Sequence, residues 1–244
     1  MKALVLAGGR GSRINEVNEG MNKCIIPINN KPIIEYNLDA LLRLDISEVI
    51  IVVGYMAEDI INRYGNNYRG KKIRYVIQWE QKGLVHAIEC SKRYLDEDFL
   101  LLLGDELLFK PNHIEMTKEF ENLDAFCICG VVPVDDRSKI SKTYSIFQDN
   151  NNRIFRLVEK PNKPFNNFMG TGNCVFKKEI ISYIEQTPIN HVRKEKELPD
   201  LIQCAIDEGN VIRSFIISSK YFNINSKEDL KEAEFLFVDN SVRS

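Results

Sequence analysis

Glycines and basic residues near the amino terminus are the residues of this sequence best suited to bind a phosphate group. The segment 7–13 reads Ala-Gly-Gly-Arg-Gly-Ser-Arg, and it directly follows residues 2–6, an apolar run that indicates a buried strand. Because glycine has no Cβ, several backbone N–H groups of such a loop can point at one anion. Arg13 and, ten residues later, Lys23 can neutralise the charge that the loop holds. The pattern predicts phosphate binding at the end of a strand.

Two common phosphate-binding motifs do not fit this segment. A dinucleotide fingerprint requires a third glycine at position 14, where the chain has Ile14, and a P-loop requires Gly-Lys-Ser/Thr, which does not follow. The pattern that remains is Gly-Gly-x-Gly-x-Arg, followed by Lys23 and Pro27. It resembles the signature of the sugar-1-phosphate nucleotidylyltransferases, also called NDP-sugar pyrophosphorylases, and the likeness extends over roughly residues 1–236.

The resemblance implies an enzyme that joins a nucleoside triphosphate to a small phosphorylated acceptor and releases pyrophosphate, with Mg²⁺ as cofactor. Arg13 and the loop amides are then expected to stabilise the departing pyrophosphate, and Lys23 the reacting centre. The nucleotide contacts expected from the loop and from a later segment are Leu6, Ala7, Gly8, Gly9, Gly11, Ser12, Gln78 and Gly83.

Length and composition predict one globular domain spanning residues 1–244. Apolar residues make up 44% of the 244, and 33 basic against 35 acidic residues give a net charge of −2, which argues against nucleic acid or an anionic membrane as partner. Six cysteines without a CxxC pair favour reduced thiols and a cytoplasmic location. No run of about eighteen apolar residues predicts a membrane span. The subunit count stays open, with a homo-oligomer included.

Apolar runs alternate with helical patterns through the first half of the chain. Strands are expected at 48–53, 73–78 and 99–103, with helices between them, which predicts an α/β fold with a mostly parallel, doubly wound, Rossmann-like mixed sheet. Ligands of such sheets bind beyond the carboxyl ends of the strands. Gln78 and Asp105 lie at such ends, so we expect them beside the glycine loop. The resemblance implies the nucleotide-diphospho-sugar transferase fold.

The pattern changes from about residue 133. Residues 144–148 and 153–159 predict a β-hairpin across the Asp-Asn-Asn-Asn turn at 149–152. We interpret 133–172 as an inserted hairpin region on the acceptor side of the site.

Two carboxylates follow the most apolar strand, at Asp105 and Glu106. A carboxylate at this place can hold Mg²⁺, or it can cap a helix. The resemblance favours Asp105 as a metal ligand and implies Asn225 as the second ligand, whereas the role of Glu106 is left open.

The segment from Gln78 to Gly83 resembles the base-reading segment of glucose-1-phosphate thymidylyltransferases and N-acetylglucosamine-1-phosphate uridylyltransferases. A carboxamide offers a donor and an acceptor to the N3–H and O4 edge of uracil or thymine, so UTP or dTTP is favoured over CTP. His86 is expected to be a packed or surface histidine.

Residues expected to bind the acceptor come from three later segments. Glu159 and Lys160 resemble the family's Glu-Lys-Pro element, in which glutamate binds sugar hydroxyls and lysine the sugar phosphate, although an exposed ion pair is the plain alternative. Asn173 is placed in the wall of the acceptor pocket. Ser145 stands where hexose-phosphate enzymes have glycine, and a serine there narrows the space for a sugar ring. The alternative is therefore a phosphorylated alcohol or phosphonate acceptor, with CTP as a possible nucleotide for that alternative.

Two other functions are less compatible with the sequence. A catalytically silent nucleotide-sugar-binding subunit is expected to have lost Arg13, Lys23 or Asp105, and all three are present. A glycosyltransferase of related architecture needs an Asp-x-Asp motif, where this chain has Asp-Glu-Leu.

Overall fold

The computed structural model describes residues 1–9, 20–224 and 226–238 of the chain. Its strands are β1 (Lys2–Ala7), β2 (Pro27–Ile28), β3 (Lys31–Pro32), β4 (Val49–Val53), β5 (Asn67–Tyr68), β6 (Lys71–Ile77), β7 (Phe99–Leu103), β8 (Glu106–Leu108), β9 (Cys127–Pro133), β10 (Tyr144–Gln148), β11 (Arg153–Glu159), β12 (Phe168–Phe176), β13 (Ile212–Ile216) and β14 (Tyr221–Asn223). Its α-helices are α1 (Ile33–Leu41), α2 (Ala57–Tyr64), α3 (Leu84–Ser91), α4 (His113–Asn122), α5 (Leu198–Asp207) and α6 (Lys227–Val238).

The centre of the main sheet is a parallel group in the order β7-β1-β4-β6. Val5 of β1 lies opposite Ile51 of β4 on one side and Leu102 of β7 on the other, and all three are fully buried. Strands covered on both faces need continuous apolar runs, and the sequence supplies them. The strands expected at 48–53, 73–78 and 99–103 are confirmed to within two residues at each end.

Helices cover both faces of this parallel group. Alternate residues of β1 point to opposite sides, so Val5 packs in a core cluster with Leu38 of α1 and Phe120 of α4. Leu4 packs in a second cluster with Ile88 of α3 and residues of α5. The chain therefore has the expected α/β architecture with helices on two sides of a central sheet.

The sheet is mixed, as expected, but antiparallel pairs outnumber parallel ones among the described strands, so it is not mostly parallel. It has ten strands in the order β10-β11-β13-β9-β12-β7-β1-β4-β6-β5, and β12 runs antiparallel to both of its neighbours, with Cys174 opposite Leu101 of β7 and Cys129 of β9. The sequence could not reveal this, because β12 is buried on both faces and has the same apolar character as a parallel strand.

The predicted hairpin forms between β10 and β11, with Tyr144 opposite Glu159. Its turn is closed by Asp149, whose carboxylate accepts a hydrogen bond from the N–H of Arg153 at 2.9 Å. Both strands belong to the main sheet, because β11 pairs with β13 and β10 also pairs with β12. An acceptor-side role for residues 133–172 therefore remains a prediction.

A third apolar cluster holds the small elements beside the rim of the sheet. Ile26, Leu107 of β8, Phe222 of β14 and Ala233 of α6 are buried together. The cluster fixes the β8–β14 pair next to the 3-10 turn at Lys23–Ile25. In the part of the chain that the structure describes, no helix is both long enough and apolar enough to cross a membrane.

Candidate active site

The glycine loop begins where β1 ends, and the ends of β4 and β6 approach it closely. A Cβ on Gly8 would lie 3.0 Å from Oε1 of Gln78, and a Cβ on Gly54 would lie 2.8 Å from the carbonyl oxygen of Gly8. Gln81 donates from Nε2 to that same carbonyl at 3.0 Å. The absence of side chains at these two glycines thus brings Gln78 and the loop to one rim, as the sequence predicts.

The structure describes only some of the other residues of this region that were predicted to contact the nucleotide. Leu6 and Ala7 are buried at the end of β1, and Gly9 is exposed. The predicted nucleotide contacts Gly11 and Ser12 lie outside the described residues, as does the predicted catalytic residue Arg13. Their roles in binding phosphate remain predictions.

A buried asparagine positions the predicted catalytic lysine. Asn22 donates from Nδ2 to the carbonyl oxygens of Ala7 and Tyr55, at 3.2 and 2.8 Å, which ties it to the ends of β1 and β4. Its Oδ1 accepts a hydrogen bond from the N–H of Cys24 at 2.9 Å and so caps the 3-10 turn in which Lys23 is the first residue. Lys23 is thereby held at the rim of the sheet.

Three polar side chains meet at this rim. Nζ of Lys23 lies 2.9 Å from Oδ2 of Asp105 and also donates to Oδ1 of Asn223. Asp105 stands in the turn between β7 and β8, and Asn223 is the last residue of β14, opposite Glu106 of β8. The lysine side chain is only 7% exposed, so its charge is poorly solvated and depends on these two oxygen atoms.

Oδ2 of Asp105 and Oδ1 of Asn223 both contact one cation, the ammonium of Lys23. Carboxylate and amide oxygens are also the protein ligands that Mg²⁺ takes, so these two side chains could hold a magnesium ion. Across residues 1–9, 20–224 and 226–238, no three His, Cys, Asp or Glu side chains are grouped to hold a metal ion. An ion at this place would therefore take its remaining ligands from phosphate and water. Asn225, the second ligand expected from the sequence, lies outside the described residues, and Asn223 is the amide that the structure places here.

Glu106 points away from the rim into a buried network. Its carboxylate accepts hydrogen bonds from the N–H of Gly172 at 2.9 Å, from Nδ2 of Asn173 at 3.0 Å and from the hydroxyl of Tyr221 at 3.1 Å. Burial, and then the charge of Asp105, raise the pKa of Glu106 to about 8. These three donors hold β8, β12 and β14 together behind the rim, which is a structural role for Glu106.

Two predicted acceptor-binding side chains have partners inside the protein. Oδ1 of Asn173 is 2.8 Å from Nε2 of His113, while its Nδ2 donates to Glu106. Because burial lowers the pKa of His113, its neutral ring donates from Nε2 to this oxygen. The hydroxyl of Ser145 accepts a hydrogen bond from the N–H of Phe165 at 3.0 Å. Asn173 and Ser145 are buried, at 1% and 0% exposure. Contact of either side chain with the acceptor remains a prediction.

The predicted base-reading residues are joined by hydrogen bonds. Nε2 of Gln78 lies 3.0 Å from the carbonyl oxygen of Gly83 and 3.0 Å from Nδ1 of His86 in α3. Gly83 precedes α3 with φ +90°, a conformation that favours glycine, and a Cβ there would lie 2.8 Å from Oε2 of Glu195. The absence of a side chain at Gly83 therefore allows this segment to pack closely against Glu195.

The region predicted to bind the acceptor carries a cluster of charges at Glu159, Lys160, Arg193 and Glu197. Arg193 donates from Nη1 to Oε1 of Glu159 at 2.8 Å and lies 3.1 Å from Oε1 of Glu197, while Nζ of Lys160 is 3.6 Å from Glu159. Burial raises the pKa of Glu159, and the charges of Lys160 and Arg193 oppose that shift. Lys160 has φ +44° and is turned back onto the cluster, since its N–H donates to the carbonyl of Thr143. Two cations and two carboxylates thus share one patch.

Sequence reasoning missed Asn223 and Arg193. Asn223 stands two positions before Asn225, and only the pairing of β14 with β8 shows that it meets Lys23. Arg193 lies in a stretch between elements, 34 positions from Glu159, and no local pattern connects the two. Only the folded chain shows that Arg193 lies beside the carboxylate of Glu159.

Comparisons with known proteins identify the family of this chain. A sequence profile of the nucleotidyl transferase family matches residues 2–234. UTP–glucose-1-phosphate uridylyltransferase AglF of Haloferax volcanii is 33% identical over 237 residues, 96% of this chain and 95% of that protein. Glucose-1-phosphate thymidylyltransferase of Streptomyces griseus is 30% identical over 246 residues, 99% of this chain and 67% of that protein.

A solved structure has the same fold. An apo UDP-glucose pyrophosphorylase superposes with a TM-score of 0.87 at 20% identity, over 99% of each chain. The profile match and the two relatives, taken with the rim of Lys23, Asp105 and Gln78, establish that this chain belongs to the nucleotidyl transferase family.

Proposed function

We propose that this protein transfers a nucleotidyl group from a nucleoside triphosphate, UTP or dTTP, to a sugar 1-phosphate with release of pyrophosphate. The observation that supports it most is the convergence of Lys23, Asp105 and Asn223 at the rim that also carries Gly8 and Gln78. The named relatives AglF and glucose-1-phosphate thymidylyltransferase act on this pair of substrate classes.

In the proposed reaction an oxygen of the acceptor phosphate attacks the α-phosphorus of the nucleotide. A P–O bond forms to the acceptor as the bond between the α-phosphorus and the bridging oxygen breaks, and that bridging oxygen leaves with pyrophosphate. No protein nucleophile is needed, so the protein has to align two anions and reduce their mutual repulsion.

Each side chain has a part in that task. Lys23 supplies a fixed positive charge at the reacting centre, since its ammonium is held by Asp105 and Asn223 and is 7% exposed. Asp105 and Asn223 would hold Mg²⁺, and the bound ion would neutralise negative charge on the phosphates. Arg13 and the amides of residues 8–11 are proposed to stabilise pyrophosphate as it leaves.

The acceptor is proposed to bind beside the charge cluster of Glu159, Lys160 and Arg193. Lys160 and Arg193 lie next to one carboxylate, so they supply positive charge for a phosphate while Glu159 supplies hydrogen-bond acceptors for hydroxyl groups. Six unpaired cysteines support a reducing compartment such as the cytoplasm as the site of action.

A grid of substrates tests the proposal. UTP, dTTP, CTP, ATP and GTP are each combined with sugar 1-phosphates, phosphorylated alcohols and phosphonates in Mg²⁺, and pyrophosphate is measured. We expect release only with a uracil or thymine nucleotide and a sugar 1-phosphate. Release with a phosphorylated alcohol or a phosphonate alone would replace the sugar acceptor by that class. Nucleotide binding without release in any combination would favour a regulatory subunit.

A further inference from the structure

The carboxamide of Gln78 is held in one orientation by two neighbours. Its Nε2 carries two hydrogens, and the structure gives each an acceptor: the carbonyl oxygen of Gly83 at 3.0 Å and Nδ1 of His86 at 3.0 Å. Its Oε1 lies toward the glycine loop, 3.0 Å from where a Cβ of Gly8 would stand. In the described part of the chain, no group donates a hydrogen bond to that oxygen.

The orientation follows from the chemistry of the two partners. A carbonyl oxygen can only accept, so the group facing Gly83 must be the NH₂ of Gln78. The carbonyl of Gly83 is itself fixed by the φ of +90° and by the N–H of Ala87, which donates to it at 3.3 Å. A flipped amide would place Oε1 against two acceptors and leave Nε2 without either partner.

The tautomer of His86 follows as well. Because the second hydrogen of Nε2 of Gln78 points at Nδ1, that ring nitrogen is the unprotonated one and the ring proton is on Nε2. The ring Nε2 faces Sγ of Cys90 at 3.8 Å. His86 lies one turn into α3, and the helix holds it against Gln78.

We propose that His86 is a positioning residue that sets the base specificity of the nucleotide site through Gln78. The proposal rests on the proposed function, because it assigns Gln78 to the base. With both hydrogens of its amide occupied inside the protein, Gln78 presents an acceptor alone. Facing the N3 position of the base, this acceptor pairs with the N3–H of uracil and thymine, whereas N3 of cytosine is itself an acceptor and repels it. The sequence led us to expect a glutamine that offers donor and acceptor together, and the structure assigns its donor to His86 and Gly83.

The size of the effect can be stated from the hydrogen bonds involved. A neutral hydrogen bond contributes about 1 kcal/mol net, which is about a fivefold change in an equilibrium constant. In the flipped amide, Oε1 of Gln78 faces two acceptors, Nδ1 of His86 and the carbonyl oxygen of Gly83. Removing Nδ1 leaves only one of these repulsive contacts, so the flipped amide becomes more populated. Its NH₂ group can then donate a hydrogen bond to N3 of cytosine. We expect the preference for UTP over CTP to fall about fivefold to tenfold.

Three variants separate the acceptor on His86 from its packing. His86→Phe keeps a ring and removes the acceptor, whereas His86→Asn keeps an oxygen near the position of Nδ1. Cys90→Ala is the matched control, because it removes the other neighbour of the imidazole and leaves Gln78 untouched. For each protein, the Kd of UTP and of CTP is measured by calorimetry without acceptor, kcat/KM is measured by pyrophosphate release, and thermal unfolding confirms the fold.

We expect wild type and Cys90→Ala to prefer UTP to the same degree, His86→Phe to show a preference about fivefold to tenfold smaller in Kd and in kcat/KM, and His86→Asn to regain the wild-type preference. Equal UTP to CTP ratios in wild type and His86→Phe would overturn the proposal, as would a wild type that binds CTP as tightly as UTP. If no substrate pair gives pyrophosphate, the proposed function fails, while the Kd ratios still decide the role of His86.

A measurement without variants covers the case in which His86→Phe does not fold. In ¹⁵N-labelled wild type, the ring nitrogen shifts of His86 should show a proton on Nε2, and the side-chain NH₂ of Gln78 should exchange its hydrogens slowly with water. A proton on Nδ1 of His86 in the neutral ring would exclude the arrangement and with it the proposal.

Discussion

The ammonium of Lys23 lies 2.9 Å from the carboxylate of Asp105, although 82 positions separate the two residues. The pair stands where β1 and β7 end side by side, since Gly104 donates from its N–H to the carbonyl of Leu6 at 2.8 Å. The same lysine contacts Asn223, which arrives from the far end of the chain. Three separate segments of the chain therefore supply the polar side chains at the rim.

Removing either charge of this pair should abolish most of the activity. For Lys23→Met and for Asp105→Asn, we expect turnover to fall by about 10²- to 10³-fold, the range seen when one fixed group that stabilises transition-state charge is lost. Circular dichroism should show a native fold. Lys31→Met is the control, because Lys31 pairs with Asp39 on another part of the surface. Pyrophosphate release close to wild type in either variant would remove the pair from the catalytic centre.

Asn223 should govern the requirement for Mg²⁺. Asn223→Leu removes the amide oxygen, and we expect the Mg²⁺ concentration for half-maximal rate to rise about tenfold or more. Asn223→Asp replaces the amide by a carboxylate and should lower that concentration, since a charged oxygen ligand binds Mg²⁺ more strongly. The measurement is the initial rate against Mg²⁺ at saturating nucleotide. A titration curve that neither variant shifts would place the metal ligand elsewhere, with Asn225 as the next residue to test.

Asn173 should contribute mainly to stability. Asn173→Ala leaves Glu106 and His113 each without one buried partner, and an unsatisfied buried polar group costs about 1–3 kcal/mol. We expect the free energy of unfolding in urea to fall by about 2–4 kcal/mol. Asn151→Ala in the exposed hairpin turn should change it little. Unchanged stability combined with a raised KM for the acceptor would instead support the acceptor contact expected from the sequence.

Glu197 should make the stability depend on pH. Burial, and then the charge of Glu159, raise the pKa of Glu197 from 4.5 to about 7 in the folded protein. Between these two values the folded state binds more protons at this group than the unfolded state, so the free energy of unfolding should fall as the pH rises from about 4.5 to 7.

The slope from one such group is at most about 1.4 kcal/mol per pH unit, and solvent that screens the charge of Glu159 will make the slope smaller. Glu197→Gln cannot titrate, so its stability should lack this decrease. Urea unfolding of both proteins at pH 5, 6, 7 and 8 measures the difference. Parallel curves for the two proteins would show that Glu197 titrates normally.

Local sequence patterns specify several parts of this protein. Continuous apolar runs specify the buried strands at the centre of the sheet, because only such runs can be covered on both faces. The glycines after the first strand and the carboxylate of Asp105 after another could be assigned to one rim, because strands in parallel α/β units end on the same side. Gln78 was assigned to that rim for the same reason, and the structure places it there beside Gly8.

Contacts that depend on pairing between distant segments follow from the folded chain and not from local patterns. Asn223 and Asn225 are alike in sequence, and the register of β14 against β8 alone brings Asn223 to Lys23. The sequence also does not show the antiparallel direction of β12 or the orientation of the Gln78 amide. A buried strand has the same composition in either direction, and an amide is oriented by whichever neighbours the fold supplies, so these features follow from long-range packing rather than from local sequence.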